Sequence, residues 1–182
     1  MAEYLGNGAE AEIGTDASPH GLGGWLSING KIARYFSCRL TAEDSQIFAH
    51  ELGSCLGQQT WESLAILVAA RIWRDCFANR RLTVKVRGDN VGSLTLVVKM
   101  RPSSWQQAII SREIALLTSL LAFPPAVTHT PGIAHKLADA LSRNLEPDFD
   151  HVKAHPILID AERTQVPLRP RSWYKALEEH SP

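Results

Sequence analysis

Several common protein features are missing from this chain of 182 residues. No apolar run approaches the roughly 18 residues that a membrane-spanning helix needs. There is no basic excess: 19 Lys and Arg balance 19 Asp and Glu. A free-standing nucleic-acid binder usually carries a surplus of positive charge. Either the basic residues cluster on one face, or another domain supplies the grip. Cysteine is scarce. Cys38, Cys55 and Cys76 form no C-x-x-C pair and no metal-ligand pattern, so they read as reduced thiols of an intracellular protein. The start MAEYLGNGAEAEI has neither a basic stretch nor an apolar core, and reads as no secretion signal. No internal repeat is visible. Hydrophobic residues at 45% and charged residues at 21% leave an ordinary globular composition, with enough chain for one domain with a core.

Residues 8–16 predict a strand ending at Asp16, although Glu10, Glu12 and Gly14 interrupt its apolar pattern. Between residues 23 and 40, two strand-like runs flank Asn29-Gly30, the strongest short hairpin signal. Thr41 can cap a short helix in TAEDSQIFAHELG, with Asp44 a looser stand-in for the Glu or Gln of a capping box. Residues 60–78 predict a long helix, apolar nearly all round and therefore buried. LTVKVRGD (82–89) predicts a strand and 90–99 a short helix. Ser103 or Ser104 then caps a second long helix, which ends at Pro124-Pro125. AVTHT follows as a strand and IAHKLADALSR as the last helix. The order β-β-β-α-β-α-α-β-α implies an α/β domain: a mixed sheet of three antiparallel and then parallel strands, with helices on its faces. Residues 8–143 form that domain. Residues 144–182, with proline, charge and scattered aromatics, read as a C-terminal extension or linker in which ILIDAE predicts a short strand.

Four acidic motifs stand in a fixed order: TDASPHGLGG (15–24), QQTWESLAI (58–66), RGDNVGS (87–93) and HKLADALSR (135–143). Each holds one carboxylate of interest: Asp16, Glu62, Asp89 and Asp139. Singly, each has an ordinary explanation. Asp16 suits a turn, Glu62 a helix start, Asp89 a cap for the next helix, and Asp139 a helix surface. Jointly they would bring four carboxylates from different elements to the ends of strands, where α/β sheets build their sites. Hard divalent cations take such oxygen ligands.

The pattern TDAS-x-x-GLGG, WE-x-LAI, GDN and H-x-PG-x-x-x-x-x-ADALSR resembles the ribonuclease H domain of long-terminal-repeat and related retroelement reverse transcriptases. HTPGIAHKLADALSR (129–143) is its most specific part. The resemblance covers residues 13–143. It implies a five-stranded mixed sheet flanked by helices, and hydrolysis of the RNA strand of an RNA–DNA hybrid with two Mg²⁺ or Mn²⁺ ions. By this resemblance Asp16 bridges both metals, Glu62 and Asp89 complete one, and Asp139 holds the other, which activates the attacking water. Products would carry a 5′-phosphate and a 3′-hydroxyl. Gln58 and Gln59 occupy positions that contact the hybrid's minor groove in related enzymes, and side-chain amides suit 2′-hydroxyls and base edges. Asn90 and Ser93 stand at a helix start, a natural phosphate contact. The reverse transcriptase polymerase domain of the same polyprotein is the implied partner, and no membrane is.

The chain also departs from the family. The turn between His129 and Asp139 is too short for the mobile histidine loop of cellular and retroviral relatives. His135 takes the place of an asparagine common in retroelements, and His20 lies near Asp16; both are auxiliary candidates. KMRPS (99–103) leaves no room for the basic protrusion of some bacterial enzymes. The alternative function is a catalytically inactive domain of the same fold that binds nucleic acid or protein. A third is another nuclease or transferase of the superfamily.

Overall fold

The computed structural model describes residues 10–77, 83–88, 100–121, 126–129, 133–144 and 156–178. β1 (Glu10–Ala17), β2 (Gly21–Ile28) and β3 (Lys31–Arg39) form the antiparallel start of the sheet. Asn29 and Gly30 join β2 to β3 with φ angles of 51 and 79 degrees. This left-handed pair matches the strand twist, and Asn and Gly adopt it most readily. The acids that weaken β1 as a strand have partners on its parallel neighbour: Glu10 pairs with Lys85, and Glu12 with Arg87 at 2.5 Å.

Thr41 and Asp44 do form a capping box before α1 (Ala42–Phe48): Asp44 N donates to Thr41 Oγ1 at 3.1 Å and Thr41 N to Asp44 Oδ2 at 2.8 Å. The long helix expected over 60–78 begins earlier and is interrupted. α2 runs Gln58–Ile72, breaks at Trp73 and resumes as α3 (Arg74–Phe77). The Trp73 indole donates to Thr164 Oγ1 at 3.0 Å, while its backbone N–H still donates to Ala69 O at 3.2 Å. β4 (Thr83–Gly88) follows. The helix expected over 90–99 lies outside the described residues. Ser104 caps α4 (Trp105–Leu121), accepting from Gln107 N at 3.2 Å. β5 (Ala126–His129) and α5 (Ile133–Arg143) close the predicted order.

The sheet order is β5-β4-β1-β2-β3-β6, with β1, β4 and β5 mutually parallel. Its first five strands are the five-stranded mixed sheet that the resemblance implies. Side chains alternate between faces. Ala11, Ile13, Ala17, Leu22 and Leu26 enter the main core with Leu64 and Leu67 of α2 and Ile110 of α4. Trp25 joins a second cluster with Leu137, Ala138 and Leu141 of α5. Helices therefore cover both faces.

Residues 156–178 pack back onto this frame. The strand expected in ILIDAE is displaced. Pro156–Leu158 is a 3-10 turn, and only Glu162–Arg163 pairs, as β6, parallel to β3. Arg71 of α2 stacks over the Trp173 ring at 3.9 Å and pairs with buried Glu113 of α4. Glu113 Oε1 also accepts from Ala176 N at 2.6 Å, at the start of α6 (Lys175–Glu178). Cys38, Cys55 and Cys76 are free thiols. Among the described residues no helix is long and apolar enough to cross a membrane.

Candidate active site

Asp16 is the last residue but one of β1 and only 6% exposed. Its neighbour Ala17 enters the main core, so alternation turns Asp16 to the other face, toward α5. The helix can approach because β2 begins with small residues. A Cβ on Gly21 would lie 2.4 Å from Ser142 O, and one on Gly23 would lie 2.3 Å from Ser142 N. The backbone of α5 thus rests directly on β2. Two hydroxyls fasten it: Ser18 Oγ donates to Ser142 O at 3.2 Å and Ser37 Oγ to Leu141 O at 2.7 Å.

This close packing places the buried Ser142 hydroxyl 3.0 Å from Asp16 Oδ2 and 2.9 Å from the carbonyl of Asp139. Asp139, on the same helix, is more open: its side chain is 42% exposed and accepts from Arg143 Nε at 2.7 Å. The HTPGIAHKLADALSR motif therefore reaches the end of β1 through the third residue after its acid.

Glu62 arrives from the opposite face. It lies in the second turn of α2 rather than the first, because the helix begins at Gln58, and it is 9% exposed. The amide of Gln58 bridges the two elements. Its Nε2 donates to Ala17 O at 2.5 Å and to Glu62 Oε1 at 3.1 Å. Both hydrogens of that amide have acceptors within the protein. Gln59, one residue on, is exposed.

Three of the four expected carboxylates thus belong to elements joined at one end of β1. β4 stops at Gly88, and Asp89, Asn90 and Ser93 lie outside the described residues. His20 is exposed, its ring beside Gly53. His135 falls within α5, but its side chain is outside what is described. Among the described residues, no three His, Cys, Asp or Glu side chains are gathered closely enough to hold a metal ion. Sequence reasoning missed Ser142 as a contact of Asp16. Its signal was present, since a helix residue three places after Asp139 shares its face.

No protein-family model matches the chain, and no curated protein does. Among solved structures it is similar to ribonuclease H1 from the halophilic archaeon Halobacterium salinarum NRC-1. That likeness has 15% sequence identity and a TM-score of 0.49, and covers 75% of this chain and 95% of the archaeal one.

Proposed function

We propose that this chain hydrolyses the RNA strand of RNA–DNA hybrids, with Asp16, Glu62, Asp89 and Asp139 holding two Mg²⁺ or Mn²⁺ ions. The observation that carries this reading is the joining of three acidic motifs at the end of β1. Ser142 links α5 to Asp16, and Gln58 links α2 to Ala17 and Glu62. The donor set is all carboxylate, which fits hard divalent cations and not thiophilic ones. Carboxylates of like charge stay apart until a cation lies between them. Two such ions, when bound, stabilise the attacking and leaving oxygens of a phosphoryl transfer.

The chain's own residues supply position. Asp16 and Glu62 stand on a central strand and a buried helix, so their backbones cannot drift. Gln58 uses its amide hydrogens inside the protein, where they orient Glu62, and its carbonyl oxygen remains an acceptor. Exposed Gln59 is then the better-placed amide for a minor groove lined with 2′-hydroxyls. Asn90 and Ser93 are assigned to phosphate or sugar contacts by the motif alone, and His20 and His135 are auxiliary candidates.

The test is cleavage of labelled RNA–DNA hybrid, double-stranded RNA and duplex DNA. Hybrid alone should be cut, in Mg²⁺ or Mn²⁺, leaving 5′-phosphates. EDTA should abolish cutting, and Ca²⁺ should permit binding with little cutting. Robust cleavage in EDTA would overturn the two-metal mechanism. Hybrid binding with no cleavage in either metal would instead mark an inactive binding domain.

The same reading makes the chain part of a retroelement polyprotein, with a polymerase domain as partner. Its balance of 19 basic and 19 acidic residues supports this, because phosphate contacts supply much of nucleic-acid affinity. A fused polymerase domain would raise the effective hybrid concentration at the site. Hybrid should therefore bind weakly to the chain alone and more tightly to the fusion at matched salt. Equal affinity for the two would reject the partnership.

A further inference from the structure

The geometry points to Ser142 as a positioning residue for Asp16, an inference that rests on the metal-site reading above. Three observations converge. The Ser142 hydroxyl lies 3.0 Å from Asp16 Oδ2, and Ser142 is 1% exposed, so water does not substitute for it. The residue is held from two sides, with its own carbonyl accepting from Ser18 Oγ and the preceding carbonyl, of Leu141, from Ser37 Oγ. Gly21 and Gly23 leave no room for a Cβ beneath it, so helix and strand meet at a fixed distance.

The hydroxyl has one hydrogen and two acceptors, Asp16 Oδ2 at 3.0 Å and Asp139 O at 2.9 Å. It can donate to the carboxylate or turn back to its own helix without being orphaned. Ser142 therefore gives Asp16 Oδ2 a directed donor from the helix that carries Asp139. The bond to Asp16 Oδ2 joins the helix carrying Asp139 to the strand carrying Asp16. A partner that orients a metal-binding side chain acts through that side chain, so its removal weakens metal binding more than it weakens the fold.

The test compares Ser142→Ala, Ser142→Cys and Ser37→Ala in the full chain. Ala removes the donor, and Cys keeps the size but donates weakly. Ser37→Ala loosens the same helix by one hydrogen bond without touching Asp16. Mn²⁺ binding is measured by calorimetry without nucleic acid, beside Mg²⁺ activation of hybrid cleavage and the melting temperature. Ser142→Ala and Ser142→Cys should weaken Mn²⁺ binding by about tenfold and raise the Mg²⁺ needed for half-maximal rate by a similar factor. KM for the hybrid should stay within about twofold, as expected when substrate contacts are untouched. Ser37→Ala should lower the melting temperature while keeping both metal responses. The inference fails if Ser142→Ala keeps wild-type metal binding, or if Ser37→Ala shifts it as much. If the unaltered chain neither binds Mn²⁺ nor cuts hybrid, the metal-site reading fails and Ser142 with it. If it does both and Ser142→Ala is indistinguishable, the Ser142 assignment alone falls.

Discussion

Asp44 and Asp16 are both buried carboxylates; Asp44 bonds a guanidinium and Asp16 a hydroxyl. Asp44 is fully buried and gripped by a guanidinium: Arg169 Nε reaches Oδ1 at 3.0 Å and Nη2 reaches Oδ2 at 2.6 Å. Thr41 N adds a third donor at 2.8 Å. Burial alone would lower the pKa of Arg169, but the hydrogen bonds and charge of Asp44 outweigh it and raise it, so the guanidinium stays charged. At the end of β1, a hydroxyl and an amide hold Asp16 and Glu62. A guanidinium cancels the charge it binds. A hydroxyl or an amide gives a carboxylate direction without itself bringing a positive charge. Asp139 also pairs with a guanidinium, of Arg143 at 2.7 Å, but that pair is half-exposed where the Asp44 pair is sealed from solvent.

The largest expected effect breaks the β1 side of this comparison. Asp16→Asn and Glu62→Gln should each lower hybrid cleavage by orders of magnitude, since the metal clamp is the catalyst. Their melting temperatures should be unchanged or raised, because neutralising one acid relieves repulsion among the others. Near-normal turnover in either variant would remove that residue from the site.

The Asp44 side should respond in the opposite sense. Arg169→Ala leaves a buried carboxylate without its guanidinium and should cost about 3–5 kcal/mol, measured by denaturant unfolding. Cleavage per folded molecule should hardly change. An Asp44→Leu, Arg169→Met double variant should recover much of that loss, because no charge is then left unpaired. A loss of turnover in folded Arg169→Ala would show that the two regions are coupled.

A smaller effect follows from Tyr174, whose hydroxyl lies 3.5 Å from Asp44 Oδ1. Burial first, and the Asp44 charge second, raise the pKa of the phenol above its ordinary 10.0. The folded protein keeps this proton where the unfolded chain has released it. The stability it contributes is complete below pH 10.0 and is lost as pH rises toward the folded value. Ultraviolet titration should show one tyrosine silent until unfolding, and Tyr174→Phe should remove that phase. Early ionisation of Tyr174 in the folded protein would contradict its burial.

The smallest effect lies at the surface. Lys31 and Asp160 pair at 3.4 Å with side chains 75% and 68% exposed. Lys31→Ala should change stability by no more than about 1 kcal/mol by chemical denaturation. A larger loss would mean that this contact anchors the C-terminal segment.

Local signals carried much of the fold. The Asn29-Gly30 hairpin, the Thr41 and Ser104 caps and the bounds of α5 were legible because each depends on neighbouring residues. The same holds for the acidic motifs, whose order along the chain marked Asp16, Glu62 and Asp139 before any contact was known. Three features were decided only by tertiary structure. At the break that follows α2, the Trp73 indole bonds Thr164, 91 residues away. Asp44 belongs to Arg169, 125 residues away, and nothing near either residue announces the pair. Ser142 meets Asp16 across 126 residues because glycines on β2 let a helix backbone lie against a strand. Propensity and capping act within a few residues, so sequence determined the elements and nominated the acids. Which donor each acid receives depends on packing between distant segments, and only the folded sheet and its helices could settle that.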